Sequence, residues 1–590
     1  MTKYIWLILL MLCATDVWGA TYWISEGGTA PTKEDSSACN DAMDIDVHNG
    51  ETFAGLDIIN LCDDGGDFDA ALNTPSSGSE GNVITYQNGA GESPRFEVAA
   101  SIIIDEDYLV FNDITFDGTS VATGSPNYGR VVVLSGADNV TFEGCVFRDA
   151  PDDGNAWGVG SANTTSTNIL LDTCTFTGNN RAGVYIGGDN DDGWTIDNST
   201  FTLTTDVVGV DVRLGPDNIT ITDNDITGGS YGIRIGNNSD LDVSSNITIT
   251  GNTIDASGDG TGTTHPIQVF VYAASDTYVI SNNTVTNPAD DVDCMELAWQ
   301  GNPSSVTISN NTITNDTPAT GDYGIVVDMF DTGTATITGN NISDVPSGCI
   351  YALGGNAHTI TGNLCTDGGT AGTPTFPAIY VESMTWEGSD NDASNHTVAY
   401  NIINNWSRCF GVNVRDGLTA NGIKFYNNTC YGFDDTHVIG AGLSLYDTSG
   451  TCDGVELINN IFFDNGAENF VNIAADCQTN FVASNNIYYD TSSDTYWQWG
   501  ADAQDTTLAA WSSASGDTST LESDPLFVSA GTDNFKLASK SSPAFDAGTP
   551  VGLTEDYAGV GVPRYTAPDI GAYEFNFILQ IGGQTIGIGN

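Results

Sequence analysis

The chain has 590 residues, with 77 Asp and Glu against 14 Lys and Arg and a net charge of −63. That balance excludes nucleic acid and an anionic membrane surface as partners, because both are held by clustered Lys and Arg. Charged residues make up 15% of the chain, hydrophobic residues 40% and aromatic residues 10%, too apolar for a disordered acidic chain. The 68 glycines and the abundance of Asn, Thr and Asp point to a turn-rich, all-β protein.

Residues 1–20 read as a signal peptide: Lys3, the apolar run Tyr4–Ala14, then small residues at cleavage spacing around Val17-Trp18-Gly19. The mature chain is therefore expected to be secreted or on the cell surface. No other run approaches the ~18 apolar residues of a membrane span, so the chain is expected not to be membrane-embedded. Without Cys13, eleven cysteines remain. Outside the cytoplasm they should form disulfides, and an odd number leaves at least one unpaired. No C-x-x-C spacing suggests a zinc or redox site.

Residues 21–108 read as an N-terminal cap with the first coils, since a solenoid must cover its first rung. From 109 to 490 one pattern recurs: apolar-x-apolar-x-x-Asn-x-apolar. Examples are VTFEGCVF (140–147), ITITGNTI (247–254), VTISNNTI (306–313), ATITGNNI (335–342) and VELINNIF (455–462). Between copies lies a second strand-like segment, usually opening with Gly: GVYIG (183–187), GVDVRLG (209–215), GIRIG (232–236), GIVVDMF (324–330), GVNVRDG (411–417) and GLSLY (442–446). Both alternate apolar and polar residues at period two, the mark of half-buried strands.

Strand pairs repeating every 23 to 38 residues, mostly 25 to 31, without helices rule out leucine-rich and helical solenoids. A β-propeller blade needs about 40–45 residues. The pattern predicts a single-stranded right-handed parallel β-helix, with right-handedness following the rule for parallel crossovers. Asn at the turns is expected to stack into amide ladders. The many Asn-x-Thr/Ser triplets then read as ladder and strand positions rather than glycan acceptors. Residues 491–576 read as a C-terminal capping region and 577–590 as a Gly-rich tail.

Cys145 and Cys174 occupy equivalent positions in adjacent coils, and one rung of about 4.8 Å lies within the Cα range of a disulfide. Cys452 and Cys477 are expected to pair by the same argument. Cys39 with Cys62 would close an N-terminal loop. Partners for Cys294, Cys349, Cys365, Cys409 and Cys430 do not follow from the sequence.

The segment SGSEGNVITYQNGAGESPRF, the ISNNTI-type coils, and the closing run DPLF…SSPAFDAG…DIGAYEF together resemble secreted right-handed parallel β-helix proteins of the pectate-lyase-like superfamily. The ending resembles a terminal region found in many bacterial members. The resemblance covers nearly the whole mature chain. It implies polysaccharide lyases, glycoside hydrolases, epimerases, phage tailspikes or non-catalytic surface proteins, so the fold alone does not choose a reaction.

In the second strand series the outward residues form two columns up the coils. One reads Tyr185, Asp211, Arg234, Gln268, Glu296, Val326, Tyr351, Tyr380, Asn413, Ser444. The other reads Gly187, Arg213, Gly236, Phe270, Ala298, Asp328, Leu353, Glu382, Arg415, Tyr446. Aromatic rings stack on sugars, and carboxylates with Arg bind hydroxyls and uronates. Tyr185, Gln268, Tyr351, Tyr380 and Arg415 are therefore candidate substrate-binding residues. The alternative is a solvated sheet face. Asp290, Asp291, Asp293 and Glu296 concentrate hard oxygen donors suited to Ca²⁺, and this run resembles the acidic segment that supplies calcium ligands in some pectate lyases. The lysine expected of that family as base is absent nearby, which leaves Arg234 or Arg213 to abstract the proton.

A hydrolase would instead need converging carboxylates such as Asp211, Glu296 and Asp328. Three functions thus stand as expectations. The first is a calcium-dependent lyase cleaving an acidic polysaccharide by β-elimination. The others are a non-catalytic glycan-binding or adhesive protein and a glycoside hydrolase. A monomer is expected in each case. His265 is a candidate groove residue, whereas His358 and His396 sit at repeat positions and read as structural.

Overall fold

A computed structural model describes residues 19–576, 578–581 and 584–587, apart from 64–65, 125–127, 162–163, 189, 237–243, 257–264, 272–276, 287–292, 300–304, 316–322, 330–332, 369–375, 387–388, 434–441, 448, 465–468, 492–495 and 501–504. The signal peptide lies outside the described residues. The fold is an all-β parallel solenoid of about 13 turns. The chain forms two compact units, residues 1–225 and 226–590.

Each coil carries three strands rather than two, because the repeat's apolar-x-apolar-x-x-Asn-x-apolar segment is bent in the middle. Leu170–Asp172 and Thr175–Thr177 are separate strands, joined at Thr173 with φ 53°. Corresponding joints are Gly144, Asn198, Asp223, Gly251, Asn282, Asn310, Gly339, Asn427, Asn459 and Asn485, all at positive φ. Gly, Asn and Asp tolerate this left-handed conformation best, which explains the residue before the ladder position in most copies, Thr173 and Tyr400 being exceptions. The Gly-initial segment supplies the third strand, as in Ala182–Ile186 and Val208–Val212.

In residues 1–225 the first sheet starts with Thr21–Ser25 paired to Ile58–Cys62 and continues through Ile84–Asn88 and Leu109–Asn112. The N-terminal segment thus supplies coils of the solenoid. A helical turn, Ile45–His48, buries Ile45 and His48, and the His48 ring stacks on Phe53 and meets Tyr86 edge-on. Inside, like residues stack on like: Phe116, Phe147, Phe176 and Phe201 are spaced 5.2, 5.2 and 4.4 Å between ring centroids.

Residues 226–590 hold a continuous amide ladder. Asn252, Asn283, Asn311, Asn340, Asn363, Asn401, Asn428, Asn460 and Asn486 are all fully or almost fully buried. In each step the backbone N–H and the amide NH₂ donate to the Oδ1 of the next Asn. For Asn311 and Asn340 both distances are 3.0 Å. The NH₂ also donates to a carbonyl of the preceding coil, as from Asn311 to Ile280.

In residues 1–225 the same column reads Cys145, Cys174, Ser199, Asn224. The Cys174 N–H donates to Ser199 Oγ at 3.0 Å and the Ser199 N–H to Asn224 Oδ1 at 2.9 Å. Cys145 and Cys174 are both buried thiols and not a disulfide, against the sequence expectation. Their Sγ atoms donate to carbonyls of the coil below, at Phe111 and Phe142. In-register parallel stacking aims the two Cβ bonds the same way, whereas a disulfide needs them to converge. Cys294 is the third free, buried cysteine. Disulfides join Cys39–Cys62 and Cys452–Cys477 as expected, and also Cys349–Cys365 and Cys409–Cys430.

His358 and His396 are structural. Their rings stack at 4.3 Å, and each Nδ1 accepts a backbone N–H from the preceding coil, Ala335 to His358 and His358 to His396. Burial lowers both pKa values, that of His396 to about 4, so the pair is neutral.

The C-terminal region both ends the helix and runs back along it. Thr518 and Leu521 form parallel bridges to Ser484 and Ile487, with Trp511 of the helix Leu508–Ser515 buried beside them. Beyond residue 524 the chain returns over the outer side of earlier coils. It covers Ile461 and Ile487 with Leu537, Ala544, Ile570 and Phe575, and Tyr400, Tyr426 and Ile458 with Val551, Leu553, Tyr557 and Val562. Asn427 and Asn459, at the left-handed joints, donate to the carbonyls of Asp569 and Thr549. The Gly-rich tail is a hairpin of Ile578–Ile581 and Gln584–Gly587.

Candidate functional site

The outward residues of the third sheet carry the polar and aromatic side chains. In residues 1–225, Tyr185 is in register with Asp211. Asp211 is fully buried, and its Oδ1 accepts from Arg213 Nε at 2.6 Å. These two form a fixed ion pair beside Tyr185.

In residues 226–590 the column runs Arg234, Gln268, Glu296, Val326, Tyr351, Tyr380, each in register with the next. Two groups of side chains form along it. In the first, Glu296 Oε2 accepts from Gln268 Nε2 at 2.5 Å and lies 3.3 Å from His265 Nε2. His265 Nδ1 is 3.1 Å from the carbonyl of Asp293, and Asp293 Oδ1 accepts from the Tyr323 N–H. Arg234 lies 4.6 Å over the ring of Tyr231. His265 thus contacts Glu296 on this face.

The second group centres on Glu382. Above Tyr380 the register departs from the sequence reading. Tyr380 pairs with Gly411, and Glu382 pairs with Asn413, which pairs with Tyr446. Asn413 therefore belongs to the second column, and Arg415 lies just past the strand Phe410–Val414. The cause is an inward Phe410: period-two alternation fits two alignments of this segment, and the buried ring selects the one that stacks Phe410 on Ile379.

This register brings together residues that the sequence put in separate columns. Glu382 Oε1 accepts from Asn413 Nδ2 at 2.6 Å, and Oε2 accepts from Tyr351 Oη at 2.7 Å. Asn413 Nδ2 also donates to Tyr380 Oη. Arg415 Nε lies 2.7 Å from Glu382 Oε1, an ion pair by distance whose N–H is not aimed along a hydrogen bond. Tyr323, Tyr351, Tyr380 and Tyr446 are spaced 5.0, 5.3 and 6.4 Å between ring centroids.

Burial raises the pKa of every phenol in that column, with Glu382 adding to the rise at Tyr351 and Tyr380. All four stay protonated donors. Burial works against the Arg415 charge, but Glu382 and the neighbouring phenols outweigh it and raise its pKa. Tyr380 is 1% exposed and Glu382 3%, so they back the surface, while Tyr323, Tyr351 and Tyr446 reach it part-exposed. Asp328 stands in register with Leu353, and Leu353 with Glu382, which places the two acids two rungs apart.

Asp290 and Asp291 lie outside the described residues. Among the described residues no group of three or more His, Cys, Asp or Glu converges on one point. Asp293 and Glu296 supply oxygen donors of the type calcium takes. No described helix is long and apolar enough to cross a membrane.

Residues 102–284 match the family described as a right-handed β-helix region, which gives the solenoid its hand. No curated protein sequence matches the chain. Among solved structures, an alginate lyase from Paenibacillus sp. str. FPU-7 is similar at 15% identity, covering 55% of this chain and 92% of that one, with a TM-score of 0.28. A mannuronic acid specific polysaccharide family 6 lyase from human gut microbiota shares 12% identity over 82% of this chain and 88% of its own, TM-score 0.32. PfbA, a surface adhesin of Streptococcus pneumoniae, shares 10% over 72% and 86%, TM-score 0.27.

Proposed function

We propose that this protein engages polysaccharide chains along the outer face of the third sheet, and that its reaction is β-elimination of an acidic polysaccharide. The carrying observation is the group around Glu382. Tyrosines at rung spacing stand beside a buried carboxylate, an amide and a guanidinium, the side chains that stack on sugar rings and bind their hydroxyls and carboxylates. Calcium belongs to the proposal. Asp290, Asp291, Asp293 and Glu296 would hold it, and the ion would bridge an anionic sugar to an acidic protein. An extracytoplasmic location is part of the same reading, supported by four disulfides.

A non-catalytic glycan-binding protein is the second reading. It is favoured by the pairing of Arg213 with Asp211 and Arg415 with Glu382: a guanidinium engaged by a carboxylate of the protein is not free to take a proton from a substrate. One screen separates the readings. The mature protein is incubated with pectate, alginate, chondroitin and neutral glycans, with and without Ca²⁺. Ultraviolet absorbance follows unsaturated uronates, and reducing ends are measured separately. Unsaturated products on an acidic substrate support the lyase. Reducing ends without unsaturation replace it by a hydrolase. Retention without products leaves the binding protein.

A further inference from the structure

The chain has nine arginines among 77 acidic residues, so a guanidinium lacking a carboxylate partner is unexpected. Arg95, Arg148, Arg213 and Arg415 each have a carboxylate oxygen within 4.0 Å. Among the described residues Arg130 and Arg181 have none. Instead they lie on a pair of stacked aromatic rings on the third sheet of residues 1–225. Trp157 and Tyr185 stack at 4.5 Å with 10° between planes. The Arg130 guanidinium lies 4.2 Å from the Trp157 centroid and 5.0 Å from that of Tyr128. The Arg181 guanidinium lies 5.3 Å from the Tyr185 centroid.

The arrangement is built rather than incidental. Trp157 is 1% exposed and lies across Gly160, where a Cβ would come within 3.0 Å of its Nε1. Arg181 donates from Nη1 to the carbonyl of Gly154 and to Asn155 Oδ1, which fixes its plane. Two donors at the same place, Trp157 Nε1 and Arg130 Nε, have no acceptor. Face-on stacking occupies the flat sides of a guanidinium and leaves its in-plane N–H edge for an oxyanion. Two neighbouring cations with surplus donors and no carboxylate within ion-pair distance are electrostatically incomplete; burial, and the nearby charge of Arg181, lower the pKa of Arg130 against the pull of the Tyr185 and Tyr128 phenols and the more distant Asp153 carboxylate.

We propose that Arg130, Trp157, Arg181 and Tyr185 form a subsite for the anionic group of an acidic glycan, a carboxylate or a sulfate ester, with Tyr185 as the ring platform. This rests on the reading that the third sheet's outer face engages polysaccharide, and it makes acidic glycans the class selected in this unit.

The test is isothermal titration of the full mature chain with oligogalacturonate, chondroitin sulfate and a neutral glucan. It uses wild type, Arg130→Ala/Arg181→Ala and Arg130→Lys/Arg181→Lys, each checked by its melting temperature. Wild type should bind an acidic ligand, more weakly as salt rises, and the alanine pair should lose at least tenfold in affinity. The lysine pair keeps the charge without the planar fork, and it should fall between the two even where the alanine pair fails to fold. Whether the uronate or the sulfated ligand binds tighter identifies the anion. Acidic binding unchanged in both double variants overturns the subsite and leaves the general reading standing. No glycan bound by wild type overturns both.

Discussion

The buried columns, Cys145, Cys174, Ser199 and Asn224 in one unit and Asn252 to Asn486 in the other, show one backbone problem solved by different side chains. At each left-handed joint the ladder residue must satisfy a backbone carbonyl or N–H that the bend removes from the sheets. Asn does this with one acceptor and two donors, Ser and Cys with less. Asn311→Ala would take the partner from the Asn283 N–H and from the Ile280 carbonyl and leave the Asn283 amide only its bond to Ile249, at a cost of about 1–3 kcal/mol for each unsatisfied group. A loss of about 3 kcal/mol or more in urea unfolding is expected; a loss under about 1 kcal/mol would mean that the ladder carries no stability. Cys174→Ser should be tolerated, because Ser199 already fills that role one coil on. The same geometry sets the thiol count: unfolded without reductant, the mature chain should titrate three free thiols, Cys145, Cys174 and Cys294. A count of one would restore the Cys145–Cys174 bridge.

At the scale of elements, period-two patterning and repeat spacing make the solenoid legible in the sequence, because each coil repeats the same burial pattern. The left-handed joint within each copy is less plain, although Gly, Asn and Asp preceding the ladder position signal it in most copies. The register at Phe410 was beyond period-two reasoning, since both alignments alternate correctly and only the packing of a large ring decides. For the same reason the contact of Glu382 with Asn413 was invisible, as it depends on that register. The run 491–576 reads from sequence only as a cap, because nothing local shows that its DIGAYEF segment docks on earlier coils.

That docking has a titration signature. Asp569 accepts N–H bonds from Asp546 and Phe575, and Glu574 accepts from Arg564 and Asp569. Burial nevertheless pushes them up to about 6 and about 7. Carboxyls whose folded pKa is raised bind more protons folded than unfolded, so their contribution to stability is full below about pH 4 and is lost as pH rises through about 6 to 7. The melting temperature should therefore fall between pH 5 and pH 8. Glu574→Gln should flatten that slope while lowering stability throughout, since an amide NH₂ cannot accept from both backbone donors. A melting temperature that climbs over this range would place the raised groups elsewhere.

For the whole molecule the dominant quantity is the −63 charge. Like charges on one chain oppose compaction, and any cation that is bound or merely concentrated nearby relieves them. Two cases differ in their dependence on the ion. Screening needs ionic strength: at about 0.15 M salt the Debye length is about 8 Å, and a further millimole of Ca²⁺ barely alters it. A specific site follows mass action instead, and at about 100 times its dissociation constant an ion adds about 2.7 kcal/mol. The proposed Asp290–Glu296 site predicts that 1 mM Ca²⁺ (about 0.003 M added ionic strength) in about 0.15 M NaCl raises the melting temperature and that EGTA reverses it. Asp290→Asn with Asp291→Asn should abolish the response while leaving the rise with NaCl intact. A melting temperature that follows NaCl but ignores Ca²⁺ and EGTA would remove calcium from the proposed function and leave the acidic surface as an adaptation to salt, with the glycan subsites to be judged on their arginines and aromatics alone.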